Sequence, residues 1–242
     1  LTLQEDDVNW PEKWREMLKQ VSKDLEDSLS SVKSFRITPF VADEMFLLSD
    51  EELPHYLYHR YRYEVFPTVH RLDDYPPYLQ IEPSSICNYR CVFCFQTDES
   101  FSGKKSPHMG SMRLDLYKMI VDEAQGNIEF LSLASRGEPL ICREFAAMME
   151  YCIGKFLSLK VNTNASLMTE AHCHALLCGG ARTIVFSADA AEEPLYSQLR
   201  LNGKLDRVLR NIERFQKIRQ TQYGSSPVIS RVSGVLVKDS QN

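Results

Sequence analysis

The sequence predicts an α/β fold in which parallel strands alternate with helices. Three observations lead to this prediction. Short apolar segments recur from residue 78 onward, amphipathic segments lie between them, and polar residues directly follow the apolar segments. The chain has 242 residues, of which 43% are hydrophobic, so it can form one large domain or one domain with an extension. Right-handed crossovers would bring the carboxyl ends of all strands to one edge of the sheet.

Residues 1–74 are predicted to form a helical N-terminal extension. Apolar residues at three- and four-residue spacing predict a first helix over residues 10–32. The capping-box spacing of Ser49 and Glu52 predicts the start of a second helix, which continues through Tyr63. Basic and aromatic residues interleave on this second helix. They are compatible with an RNA or partner surface, although we prefer an ordinary amphipathic helix.

The core is predicted over residues 75–242, after a stiff linker at 73–77 that contains two prolines. Five short apolar segments are its predicted strands: 78–82, 128–133, 158–162, 183–187 and 228–237. Four segments with helical apolar spacing separate or follow them: 112–126, 145–153, 169–178 and 205–218. This order is the alternation of strands and helices on which the fold class rests.

Three cysteines follow the first predicted strand with the spacing C-x-x-x-C-x-x-C: Cys87, Cys91 and Cys94. Seven cysteines in a chain of this size do not indicate a disulfide framework, and clustered thiols are better interpreted as metal ligands. Three thiolates on one loop leave a metal centre one ligand short. A substrate or cofactor could then bind the metal directly.

Four interpretations of the three cysteines remain open on spacing alone. A structural zinc site needs four ligands, usually as paired C-x-x-C units. A ferredoxin-type electron carrier needs a fourth cysteine, and Cys142 is a distant candidate. The thiols could also be buried together by coincidence. The last interpretation is an iron–sulfur cluster in which one iron has no protein ligand.

Polar residues follow each of the next three predicted strands, at positions that should converge with the cysteine loop. They form three short groups: residues 136–138, residues 162–164 and residues 187–189. In a parallel sheet, this convergence predicts a ligand site at the carboxyl edge.

These motifs together resemble the radical SAM superfamily. The cysteine spacing after a first strand is similar to the cluster motif of that superfamily. The sequence Arg136-Gly137-Glu138-Pro139 resembles its Gly-Gly-Glu motif, with Arg in place of the first Gly. The segments 161–165 and 186–190, the latter followed by Tyr196 and Arg200, resemble the ends of the third and fourth strands in the branch that carries SPASM or twitch extensions.

The resemblance implies a partial (β/α)6-type TIM-like barrel and two cofactors, a [4Fe-4S] cluster and S-adenosylmethionine (SAM). Cys87, Cys91 and Cys94 would bind three irons, and SAM would bind the fourth. The implied cofactor-binding residues lie on the cysteine loop and at the strand ends: Phe93, Gly137, Glu138, Asn162, Asn164, Ser187 and Arg200. The implied activity is reductive cleavage of SAM to a 5′-deoxyadenosyl radical, which abstracts hydrogen from a substrate. No catalytic residue is predicted beyond the cluster ligands, and the reaction could be that of an oxidoreductase or a transferase.

Several expectations concern what surrounds this core. The superfamily barrel commonly has six strands, so a chain ending after the fifth predicted strand is expected to be incomplete at its C-terminus. The resemblance implies a flavodoxin- or ferredoxin-like electron donor and a small-molecule or peptide substrate. A net charge of −5 argues against nucleic-acid binding, and no apolar run approaches the ~20 residues of a membrane span. The acidic N-terminus lacks a signal-peptide pattern, so a cytoplasmic location is expected.

Overall fold

The computed structural model describes residues 12–26, 35–103, 106–134 and 136–238. The chain divides into two compact units. The first comprises the residues up to Tyr78 together with Asn127–Phe130, and the second comprises Leu79–Gly126 and the residues from Leu131 onward. None of the helices in the described ranges is both long and apolar enough to cross a membrane.

The described part of the first unit is helical: α1 (Glu12–Glu26), α2 (Pro39–Met45) and α3 (Glu52–Val65). Helix α3 begins at the predicted capping box, since the Ser49 amide donates to the Glu52 carboxylate at 2.9 Å and the Glu52 amide donates to the Ser49 hydroxyl at 3.2 Å. Buried residues around α1 and α3 form the core of the unit: Met17, Leu18, Val21, Phe35, Leu57, Tyr58, Tyr61, Val65 and Phe66.

The structure tests the predicted first helix only in part, and it contains one helix that the sequence pattern did not predict. The predicted first helix extends beyond α1, but residues 10–11 and 27–32 lie outside the described residues. Helix α2 was missed because it is short and lacks a repeated apolar spacing. It is capped locally by Thr38, whose hydroxyl accepts a hydrogen bond from the Val41 amide at 3.3 Å.

The strands of the chain, in order, are β1 (Tyr78–Ile81), β2 (Arg90–Cys91), β3 (Phe130–Leu133), β4 (Ser158–Thr163), β5 (Ala181–Ser187), β6 (Arg200–Leu201) and β7 (Ile229–Ser233). The remaining helices are α4 (Glu99–Ser102), α5 (Leu114–Ala124), α6 (Phe145–Tyr151), α7 (Glu170–Cys178), α8 (Leu195–Leu199) and α9 (Leu205–Gln222). All five predicted strands and the four predicted helices of the core are present, with small differences at their ends.

Five of these strands form one sheet in the order β1-β3-β4-β5-β7. Strands β4 and β5 are parallel, as are β5 and β7, with Thr163 opposite Phe186 and Ser187 opposite Ser233. The α/β class with a parallel sheet is therefore confirmed. The ends of β4, β5 and β7 lie in register, which brings the polar residues that follow them to the same edge.

The core of the second unit lies where helices cover the central strands. Val161 and Ile184 are fully buried, as expected for central strands of a parallel sheet. Helix α9 contributes Val208, Phe215 and Ile218 from one face. Burial stabilises each such side chain by about 1.5–3 kcal/mol, and this covered sheet supports the edge that carries the polar residues.

Candidate functional site

The cysteine loop lies between β1 and α4 and is held by a short antiparallel ladder. Strand β2 pairs with β6, so that Cys91 is opposite Arg200. The Val92 amide donates to the Leu199 carbonyl at 2.9 Å, and the Cys94 amide donates to the Cys91 carbonyl at 2.9 Å. These backbone contacts give the loop a defined conformation near Arg200.

The three loop cysteines are free and half-buried. Burial raises the pKa of the Cys91 thiol to about 11, with Arg200 acting in the opposite direction and Cys87 and Cys94 adding to the rise. Burial likewise raises the pKa of Cys87, with Glu138 and Cys94 adding to it. Each thiol therefore lies within electrostatic reach of the others. Because thiolates are the metal ligands, metal binding at this loop releases protons.

The number of thiols bears on the kind of metal centre that the loop could hold. Three free cysteines lie on it. A zinc site requires its ligands to converge on one ion, at about 2.3 Å for sulfur. In an iron–sulfur cluster each thiolate binds its own iron, so the donors do not converge on one point. The donor set fits the cluster.

Glu138 lies in the turn after β3 and is almost fully buried, with 2% of its surface exposed. Its carboxylate accepts hydrogen bonds from the Thr163 hydroxyl at 2.6 Å, the Asn164 amide at 2.8 Å and the Leu140 amide at 3.2 Å. Burial raises the pKa of this carboxyl, and the three hydrogen bonds act in the opposite direction. Glu138 thereby connects the turn after β3 to the end of β4.

The two predicted asparagines at the end of β4 have different surroundings. The Asn164 amide group donates to the side-chain oxygen of Asn88 at 3.0 Å, and its own side-chain oxygen accepts from the Ser166 hydroxyl at 2.7 Å. The side-chain oxygen of Asn162 is buried and has no hydrogen-bond partner. A buried acceptor without a partner is costly, and a ligand hydroxyl or ammonium group would satisfy it. This orphaned oxygen fits a cofactor that presents donors at this edge.

Arg200 and Ser187 lie at the β5 side of the site. The Arg200 guanidinium is buried and forms an ion pair with Asp189, with Nε and Oδ2 separated by 2.5 Å. Asp189 also accepts a hydrogen bond from the Val235 amide at 2.7 Å. Ser187 is half-buried at the end of β5. The ion pair links β6, which holds the cysteine loop, to the segment after β5.

The turn after β3 crosses the turn after β1 at very close range. A Cβ atom on Gly137 would lie 1.8 Å from the Ser84 carbonyl oxygen. The sequence predicts that Gly137 allows backbone to approach a ligand, and the structure shows a close approach to the Ser84 backbone. Arg136, which replaces the first Gly of the motif, places its guanidinium over the ring of Phe101 at 5.3 Å.

The structure brings several predicted residues into contact and leaves others apart. Glu138 contacts Asn164, and Arg200 pairs with Cys91 through the β2–β6 ladder. Phe93 is 36% exposed on the cysteine loop. Two residues of the network lie outside the polar groups that the sequence predicts for the ligand site: Asn88 and Ser166. Asn88 was within reach of sequence reasoning, since it is a polar residue inside the cysteine motif.

Comparisons with known proteins address the class of this site. The sequence profile of the radical SAM superfamily matches residues 81–229. The mycofactocin maturase MftC of Mycolicibacterium smegmatis is 26% identical over 158 residues, which are 65% of this chain and 39% of that protein. The GTP 3′,8-cyclase of Clostridium botulinum is 25% identical over 165 residues, which are 66% of this chain and 48% of that protein.

One solved structure supports the fold over nearly the whole chain. SuiB of Streptococcus suis bound to S-adenosylmethionine aligns with a TM-score of 0.57 at 19% identity, over 93% of this chain and 45% of that one. At this identity the likeness shows the fold alone. The chain spans less than half the length of these curated relatives and of SuiB.

A parallel α/β sheet with a three-cysteine loop at its carboxyl edge defines an iron–sulfur protein of the α/β class. The chain belongs to the radical SAM superfamily. Its cofactors are those of the superfamily, a [4Fe-4S] cluster and SAM. Neither a zinc module nor an iron–sulfur electron carrier without SAM chemistry receives support from these comparisons.

Proposed function

We propose that this chain forms the core of an enzyme that reductively cleaves SAM and uses the resulting 5′-deoxyadenosyl radical to abstract hydrogen from a substrate. One observation carries the proposal. Three free thiols lie on a loop that is tied to β6 and to the end of β4, and three thiolates leave one iron of a cubane cluster without a protein ligand. When bound and reduced, the cluster supplies the electron for cleavage.

The proposed iron ligands are the three thiols of the cysteine loop. Cys87, Cys91 and Cys94 would each hold one iron of the cluster, and SAM would bind at the fourth. The raised pKa of the Cys91 thiol means that the protein binds iron at the expense of a proton. The neighbouring Arg200 guanidinium offsets part of the negative charge that the thiolates introduce.

The remaining predicted residues hold SAM at the strand ends. The unpartnered oxygen of Asn162 accepts a hydrogen bond from the cofactor. Glu138 contributes negative charge for the ammonium group of SAM. The backbone at Gly137 lies beside this ammonium group. Ser187 and Arg200 provide a hydroxyl and a positive charge for the carboxylate, and Phe93 covers the adenine. Asn164 contributes by orienting the loop that follows β4.

Domain organisation, partners and location are part of the same proposal. Residues 75–242 form the radical SAM core, and residues 1–74 form a helical extension. An external flavodoxin- or ferredoxin-like protein donates the electron, and the substrate is a small molecule or a peptide. SuiB has been solved with its precursor peptide, which supports the peptide class for this fold. All seven cysteines lie within the described residues and are free, which supports a reducing, cytoplasmic location.

Production of 5′-deoxyadenosine tests the proposed activity. The protein is reconstituted anaerobically with iron and sulfide, reduced with dithionite and mixed with SAM. We expect 5′-deoxyadenosine to accumulate only when cluster, reductant and SAM are all present. A cluster-loaded, reduced sample that leaves SAM intact would contradict the proposal.

The ligand assignment predicts the effect of removing each thiol. Cys87→Ala, Cys91→Ala and Cys94→Ala should each lose the site-differentiated cluster and cleavage activity, because a cluster with only two protein ligands is not retained. Iron and sulfide content measured after reconstitution checks this. Cys178→Ala is the matched control, since Cys178 is exposed at the end of α7 and should leave iron content unchanged. Retention of activity by any of the three loop variants would reject the assignment.

A further inference from the structure

Asn88 lies inside the cysteine motif, between Cys87 and Cys91, and its side chain contacts the segment after β4. Its amide group donates to the Ser166 hydroxyl at 2.9 Å, and its oxygen accepts from the Asn164 amide group at 3.0 Å. The Ser166 hydroxyl in turn donates to the Asn164 side-chain oxygen at 2.7 Å. The three side chains form a closed ring of hydrogen bonds, which we call the Asn88 ring.

The Asn88 ring is buried on the β4 side. Asn164 is 5% exposed and Ser166 is 2% exposed. The Ser166 amide also donates to the Asn164 oxygen at 2.9 Å, so this oxygen accepts two hydrogen bonds. Buried groups of this kind hold their geometry, because breaking one bond leaves a desolvated donor or acceptor unpaired. The ring therefore constrains the separation between the cysteine loop and the end of β4.

The same network continues to the turn after β3. The backbone amide of Asn164 and the hydroxyl of Thr163 both donate to the Glu138 carboxylate. Asn162, whose oxygen is orphaned, precedes these residues on β4. The ring thus joins the loop that carries the thiols to the two strand ends that carry the remaining polar groups. The side chain of Asn88 provides two hydrogen bonds from the cysteine loop to this network, and the Glu138 amide adds one to the Ile86 carbonyl at 2.9 Å.

We propose that Asn88 is a positioning residue that sets the distance between the cluster-binding loop and the SAM-binding strand ends. The inference rests on the proposed function, in which SAM is held by an iron and by the strand ends at the same time. A ligand held from two sides binds tightly only if the two sides are already at the correct separation. Without the ring, the loop keeps its three thiols but samples several separations, so SAM binds more weakly while the cluster remains.

The first experiment is a double-mutant cycle on SAM affinity. The variants are Asn88→Ala, Ser166→Ala and the double variant, each reconstituted with its cluster, with SAM dissociation constants measured by equilibrium dialysis. We expect Asn88→Ala to raise the dissociation constant about 10-fold, since two hydrogen bonds are lost. The SAM dissociation constant of the double variant should exceed that of Asn88→Ala by no more than about 2-fold, because the two residues act through the same ring. The proposal would be overturned if the effects of the two single variants on the dissociation constant multiply in the double variant. An unchanged dissociation constant in Asn88→Ala would also overturn it.

A matched control separates the ring from general loop stability. The Thr97 hydroxyl donates only within the loop region, to the Cys94 carbonyl at 2.9 Å, and Thr97 is exposed. Thr97→Ala should leave SAM affinity unchanged. Ser166 lies outside the cysteine loop. If Asn88→Ala loses its cluster, the SAM affinity of Ser166→Ala decides whether the Asn88 ring affects SAM binding.

The second experiment does not involve SAM. Amide hydrogen exchange is measured on the cluster-loaded protein without SAM. In Asn88→Ala, amides of residues 87–92 should exchange about 10-fold faster than in the unmodified protein, while Thr97→Ala should not show this change. Unchanged exchange would overturn the positioning role even if SAM is cleaved. An unmodified, cluster-loaded protein that binds no SAM would instead overturn the proposed function, and the exchange result would still decide whether Asn88 orders the loop.

Discussion

The seven cysteines of this chain occupy distinct environments. Cys87, Cys91 and Cys94 are half-buried on one loop and influence one another electrostatically. Cys142, Cys152 and Cys173 are buried among apolar side chains, where a free thiol behaves as a small apolar group. Spacing and environment therefore both favour the same three thiols as the proposed metal ligands.

Two asparagines at the end of β4 show why residue type alone does not define a role. Asn162 and Asn164 both follow the pattern expected of a ligand-binding strand end. The side chain of Asn164 is used within the protein, by Asn88 and Ser166, whereas the oxygen of Asn162 has no partner. Sequence reasoning treats the two alike, because the difference depends on residues from a distant loop.

Glu138→Gln should lower both folding stability and SAM affinity. The carboxylate accepts three hydrogen bonds, one of them on Oε2 from the Asn164 amide. A glutamine amide group must face one of these donors, so a buried bond is lost. We expect unfolding in urea to be easier by about 1–3 kcal/mol, with the cluster retained. A variant that loses its cluster before its SAM affinity, or one as stable as the unmodified protein, would contradict these roles.

At the scale of elements, the site depends on turns that cross one another. The turn after β3 passes the turn after β1 at Gly137, and the Glu82 carboxylate accepts from the Arg136 and Gly137 amides at 2.8 and 3.2 Å. The Gln96 side chain donates to the carbonyls of Ser85 and Arg136, and so joins the region after the third cysteine to both turns. Direct contacts between the turn after β1 and the turn after β3 therefore hold the motif residues in place.

Gly137→Ala should destabilise this crossing. The added methyl group would lie 1.8 Å from the Ser84 carbonyl oxygen, so one of the two turns must move. We expect a loss of about 1–3 kcal/mol in urea unfolding, together with weaker SAM binding. Gly110→Ala is the matched control, since a Cβ there meets nothing within 4 Å and its effect should stay within about 0.5 kcal/mol. If Gly137→Ala and Gly110→Ala are equally stable, the close crossing of the two turns does not constrain the residue at position 137.

The elements that the sequence predicts are those with a local signal. Central strands such as β5 are buried over most of their length, and helix α9 repeats its apolar residues on one face. The β2–β6 ladder was not predictable, since each strand has two residues and its pairing of Cys91 with Arg200 joins distant segments. Helix α8 is similarly short and carries no periodic pattern.

At the scale of the whole molecule, the two compact units have different chemistry. The cysteine loop and the strand ends belong to the second unit. The first unit contains a buried histidine on α3, His59, whose Nδ1 lies 2.8 Å from the Pro77 carbonyl oxygen. Its ring stacks on Phe130 with centroids 3.6 Å apart. Burial lowers the pKa of His59 to about 3, with neighbouring arginines adding to this and the Pro77 carbonyl opposing it.

His59 predicts a loss of stability in mild acid. Its folded-state pKa is below the ordinary value of 6.5, so the unfolded chain takes up a proton first as pH falls. The contribution of His59 is therefore intact above pH ~6.5 and decreases toward pH ~3, by at most about 1.4 kcal/mol per pH unit. Urea unfolding at pH 7, 6 and 5 measures this slope. His59→Phe should flatten it, and an equal slope in both proteins would contradict the prediction.

The central claim is that three cysteines leave one iron open for SAM. Mössbauer spectroscopy of the ⁵⁷Fe-reconstituted protein, recorded with and without SAM, tests it most directly. We expect SAM to change the spectrum of one of the four irons and to leave the other three unchanged. Four irons that are all insensitive to saturating SAM would contradict it.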